Sequence, residues 1–144
     1  MNQIRPIAIC IFRNHDRILV FEGVDPSNKE IFYRPLGGGI EFGEHSEDTI
    51  RREILEEINA EVNDLRYLGT LENMFTFDGR SGHEIVQVYD GVLKESELYE
   101  QAVIVGHEAE IDESFNVYWK DLNDFRKGKS ILYPDGLLEL LIAR

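Results

Sequence analysis

Apolar residues alternate with others from Ile4 to Phe12, "IRPIAICIF", the two-residue period of a strand with a face toward a core. Arg17 to Val24, "RILVFEGV", reads as a second strand, with "RNHD" as the turn between them. "DPSNKE" has loop composition, and "IFYR" is a short third strand stopped at Pro35. From Ser46 to about Ile58 the period lengthens to that of a helix, with Ser46 as N-cap and Glu47 and Asp48 at its positive end. Strands return over Leu65 to Phe77, with a break near Gly69, and over His83 to Leu93. "ESELYEQAVIVGHEAEIDES" has no clear period and reads as a loop with short ordered pieces. Phe115 to Trp119 is a strand, "DLNDF" a turn or helical start, and Pro134 to Ala143 a closing helix with Leu137, Leu138, Leu141 and Ile142 on one side. The order strands, helix, strands, helix predicts one α/β-type domain over residues 1–144. It is an α+β sandwich with a mixed β-sheet and both helices packed on it.

Charge narrows the partners. With 28 acidic against 15 basic residues the net charge is −13, which disfavours nucleic acid polymers and anionic membranes. A small polyanionic ligand remains compatible if metal ions or local basic groups offset the repulsion. No apolar run approaches the roughly 18 residues of a membrane span, and "MNQIRPIAICIF" lacks the pattern of a secretory signal. The lone Cys10 reads as a buried small hydrophobe, so the expected setting is cytoplasmic.

The stretch "GGGIEFGEHSEDTIRREILEEINA" carries the chemistry. At about 100° per residue, Glu53, Glu56 and Glu57 fall on one helix face, while Ile54, Leu55 and Ile58 lie on another that can pack on the sheet. Like charges at such spacings repel, and only Arg51 and Arg52 relieve them. A solvated acidic face is the bland explanation. Against it, three glycines stand just before the helix, where backbone can approach a phosphate, and the oxygen-only donors suit hard cations.

Gly38, five residues, Glu44, seven residues, then Arg52-Glu53-Ile54-x-Glu56-Glu57 resembles the Nudix box, G-x5-E-x7-R-E-U-x-E-E-x-G-U, U being a bulky aliphatic. Every specified position matches except the last two, where Asn59 replaces glycine and Ala60 the aliphatic. Asn tolerates the left-handed conformation that a glycine would take there, so the turn can survive.

The resemblance implies hydrolysis of a nucleoside diphosphate linked to another group, a nucleoside triphosphate or an ADP-ribose-like molecule. It implies Glu53, Glu56 and Glu57 as ligands of Mg²⁺, or alternatively Mn²⁺. The catalytic set is then Glu53, Arg52 and Glu56, with Glu53 preferred as acceptor of the water's proton and Arg52 holding a carboxylate. Gly37, Gly38 and Gly39 shape the loop, and Glu44 supports it. For a further acid outside the box, Glu84 in its alternating strand is a candidate. Glu108, Glu110, Asp112 and Glu113 in the loop before Trp119 are the other candidates, each reading more readily as a solvated loop acid. Arg34 could meet a phosphate, and His83 reads as a satisfied strand-end histidine. A homodimer is allowed but marked by no residue. The competing class is a catalytically silent nucleotide-binding or regulatory module of the same fold, which intact box carboxylates argue against.

Overall fold

The computed structural model describes residues 2–109 and 111–143, so Glu110, one of the loop acids, lies outside the described residues. Eight strands are present: β1 Ile4–Asn14, β2 Arg17–Val24, β3 Ile31–Arg34, β4 Leu36–Gly39, β5 Val62–Phe77, β6 Arg80–Leu93, β7 Val103–Glu108 and β8 Glu113–Asp121. The helices are α1 Ser46–Ile58, α2 Leu122–Arg126 and α3 Leu137–Ile142, with a 3₁₀ turn at Ser96–Glu100. Among these, no helix is long and apolar enough to cross a membrane.

The sheet is mixed, as the element order implied. Its strands run β5-β6-β1-β2-β8-β7, with β3 on β2 and β4 on β1. The β1–β6 pair is parallel, Ile4 opposite His83 through Phe12 opposite Gly91, and the other pairs are antiparallel.

Strand β1 is buried on both faces, and its alternation divides the core. Ala8, Cys10 and Phe12 join Ile50, Ile54 and Ile58 of α1. Ile7, Ile9 and Ile11 join Phe125 of α2 and Leu137 and Leu141 of α3. Helices therefore cover opposite faces of the sheet, the burial that parallel pairing favours.

Four local expectations change. Position 45, not Ser46, caps α1: His45 is extended and makes no side-chain cap bond. Ser46 instead shares a 2.6 Å hydrogen bond between its hydroxyl and that of Tyr89, a partner far away in sequence. Leu55 is half exposed, because Ile50, Ile54 and Ile58 already fill the strip facing the sheet. Helix α3 starts at Leu137, after Pro134 and a left-handed Gly136, and it leaves Ile142 exposed. The unreadable stretch contains a full strand, β7, held along the sheet edge by β8.

Candidate active site

Helix α1 ends at Asn59, whose φ of 52° and ψ of 44° are left-handed and whose N–H donates to the Leu55 carbonyl. The following Ala60 is fully buried and joins the core cluster of Ile54 and Ile58. Before the helix, Leu36–Gly39 pairs with β1. Gly37 has φ 152°, and a Cβ there would collide with the Ala8 carbonyl oxygen. At Gly38 a Cβ would collide with the Glu53 carboxylate. These glycines let the loop lie against β1 on one side and the acidic face of α1 on the other.

Arg52 ties the loop to the helix. Its Nε and Nη2 donate to the two Glu44 oxygens at 2.8 and 2.9 Å, and Nη2 also reaches the Gly39 carbonyl at 3.0 Å. Nη1 donates to Glu53 at 2.9 Å and lies 3.6 Å from Glu56. Thr49 donates to the same Glu44 carboxylate at 2.6 Å. The bonds from Arg52, then Thr49, hold the Glu44 carboxyl down at about 2, so it stays ionised. Glu44 is thus an anchor for Arg52, and both of its oxygens are engaged.

Glu53 and Glu57 titrate the other way. Burial is the largest cause for each, and it raises the Glu53 carboxyl against the pull of Arg52. Glu57, only 9% exposed, is pushed up to about 8 by burial and by the neighbouring charges of Glu53, Glu108 and Glu56, with the Gly37 N–H opposing. Its Oε1 is buried with no hydrogen-bond partner among the described residues. A buried, unpaired carboxylate oxygen costs free energy unless something compensates it.

These groups line a cavity of about 510 Å³ together with Arg5, Arg34, Glu84 and Glu108. Glu84 is buried and held at 3.4 Å by Arg34 and at 3.2 Å by the Asn73 amide. Glu108 corrects its reading as a solvated loop acid, since it ends β7 on the cavity wall and its charge reaches Glu53 and Glu57. The signal was there: Ile104 and Gly106 are buried, and Glu108 keeps their parity. Asp112 turns away to His107, and exposed Glu113 pairs across from Glu108. His83 does not line this cavity, as read from the sequence.

A family model described as the NUDIX domain matches residues 2–136. The chain belongs to the Nudix family. Over 68 residues it is 34% identical to the NAD-capped RNA hydrolase NudC of Vibrio atlanticus (strain LGP32), covering 47% of this chain and 24% of that protein. It is 37% identical over 65 residues to the mitochondrial NAD(P)H pyrophosphatase NUDT13 of Homo sapiens, covering 45% of this chain and 18% of that protein. The match thus spans about a quarter or less of the length of these curated relatives. A solved NUDIX hydrolase from Nitrosomonas europaea superposes with a TM-score of 0.67 at 14% identity, over 97% of this chain and 87% of that one, a likeness of fold.

Nudix hydrolases generally use divalent metals. Among the described residues no set of three or more His, Cys, Asp or Glu side chains converges as a cage, and Arg52 pairs with Glu53 and reaches Glu56. The donor set nevertheless fits a hard cation. It is all oxygen, it is partly desolvated, and it includes the unpartnered Glu57 Oε1.

Proposed function

We propose that this Nudix chain hydrolyses the pyrophosphate bond of a nucleoside diphosphate joined to another group, with Mg²⁺, or Mn²⁺ in its place, as cofactor. The observation that carries this reading is the Glu57 carboxylate, buried, raised to about 8 and unpaired at Oε1 on the wall of a cavity that Arg5, Arg34 and Arg52 also line. Glu53, Glu56 and Glu57 would hold the cation, with Glu108 as a fourth carboxylate beside them. When bound, a divalent cation neutralises phosphate oxygens and acidifies a water.

The protein's own side chains do the rest. Arg52, anchored on Glu44, fixes the Glu53 carboxylate in place beside Gly38. Glu53 is our choice for the group that accepts the attacking water's proton, being partly buried and raised in basicity. Arg34 and Arg5, on the wall of the same cavity, suit the phosphate charge. The sequence's one cysteine, Cys10, is fully buried, in keeping with a cytoplasmic setting.

A panel of nucleoside triphosphates, ADP-ribose, sugar nucleotides and dinucleotides, assayed for monophosphate or phosphate release with and without Mg²⁺, tests the reading. Release should require the metal and fall about a hundredfold or more in Glu53→Gln and Glu57→Gln. Mg²⁺ should also raise the melting temperature of the unaltered chain, and less so that of Glu57→Gln. Folded variants with full Mg²⁺-dependent release would overturn the assignment. Binding without release by the unaltered chain would favour the silent module.

A further inference from the structure

A second cavity of about 490 Å³ opens beside the first, and the two share Arg5, Phe21, Arg34 and Glu84 as walls. Its far side is aromatic and acidic. Phe32 packs edge-on against Phe77 at 6.1 Å between ring centres and tilts against Tyr133 at 5.6 Å. Asp25, Glu30 and Asp135 line the same space. Asp25 is buried, and its Oδ1 accepts from the Ser27 N–H and hydroxyl at 2.9 Å and the Asp78 N–H at 3.0 Å. These bonds lower its carboxyl and keep it ionised. Glu30 accepts the Tyr133 hydroxyl at 2.9 Å through one of its two oxygens.

The charges along this cleft change sign twice. The first cavity has carboxylates at the α1 end, and Arg5 and Arg34 stand at the shared wall. Arg34 is engaged by Glu84, while the Arg5 guanidinium lies over Gly39, 3.1 Å from where a Cβ would sit. Beyond the arginines, no other lysine, arginine or histidine lines the second cavity among the described residues. Burial first, then the Glu30 bond and the charges of Glu30, Asp135 and Asp25, push the Tyr133 phenol up to about 12. All three carboxylates line the cavity with Tyr133 and add negative field at its ring.

We infer that the second cavity is the site for the ring at the far end of the substrate, and that it selects a positively charged heteroaromatic ring over its neutral counterpart. Aromatic faces attract cations through their quadrupoles, and the attraction grows where carboxylates add to the field and water is displaced. The chemistry is shared by an oxidised nicotinamide and an N-alkylated purine. It rests on the reading of the first cavity as the pyrophosphate site, because the shared arginines then sit where phosphates join the ring-bearing half.

Two substrate pairs differ chiefly in ring charge: NAD⁺ against NADH, and 7-methyl-GTP against GTP. The charged member of at least one pair should have a kcat/KM about tenfold higher, a ratio of the size cation–aromatic contacts give. Glu30→Gln combined with Asp135→Asn should bring that ratio near one, since both changes keep shape and remove charge. A preference in the first pair alone identifies a nicotinamide, and in the second alone an alkylated purine. Calorimetry on the metal-free full chain supplies a readout without turnover: 1-methylnicotinamide cation should bind more tightly than neutral nicotinamide, and the double variant should lose the difference. Equal affinity, or no detectable binding of the cation, overturns the inference, as does hydrolysis at equal efficiency within both pairs. If no nucleotide is hydrolysed yet the cation binds selectively, the pyrophosphatase reading falls and the ring site stands.

Discussion

At Glu57, burial and like charge act in the same direction, and the consequence can be measured on the metal-free protein. Its carboxyl is near 8 when folded against an ordinary value of 4.5. Between those values Glu57 is protonated in the folded chain and ionised in the unfolded one, so its contribution to stability is fully present below about 4.5 and is lost as pH rises toward 8. One pKa unit is worth about 1.4 kcal/mol, so the loss is at most ~5 kcal/mol. Urea denaturation in a chelator at pH 5 and pH 8 should show this slope, and Glu57→Gln should flatten it and be the more stable protein at pH 8. A variant with the unaltered slope would place the titration elsewhere. The neighbouring glycines separate folding from function. A Cβ at Gly37 meets backbone, so Gly37→Ala should cost ~2 kcal/mol or more. At Gly38 it meets the movable end of Glu53. Gly38→Ala should therefore fold with a nearly unchanged urea midpoint and lose hydrolysis.

Among the elements, α1 was the most legible from sequence, because its apolar strip, its acids and the box spacing all report on the same thirteen residues. Even there, the cap was misassigned to Ser46. A hydroxyl before an acidic turn reads as a cap, but nothing local reveals that Tyr89 on β6 would take it. Strand β7 was missed for the opposite reason. Its alternation at Ile104 and Gly106 runs into a tract of acids, and charge density in the sequence obscured the parity that puts Glu108 at the site. The exit of α1 carries its own test. Asn59 already holds the left-handed angle, where most side chains cost about 1 kcal/mol or more. Asn59→Ala should lower urea stability by about that amount, and Asn59→Gly should leave it equal or slightly higher. Equal losses in both would show that the Asn side chain, rather than its backbone angle, matters.

For the molecule as a whole, the mixed sheet and the acidic face of one helix could be read from periodicity and spacing alone. The cleft could not. Arg5 on β1, Phe32 on β3, Glu84 on β6 and Tyr133 near α3 come together only through strand pairing across the whole sheet, and of these Glu84 alone, by its place in an alternating strand, carries a local signal. Two-faced burial of β1 is the feature that joins these distant parts, and it also makes Cys10 informative. The thiol is fully buried, and burial, then Asp90, pushes its pKa up, so the folded chain presents no reactive thiolate. Alkylation must wait for the middle of the sheet to open. The sole cysteine thus serves as a built-in clock: with excess iodoacetamide, its labelling rate should report opening of the central strand, slow as bound ligands stabilise the fold, and need no engineered probe. Labelling as fast as that of a free thiol would contradict the closed core.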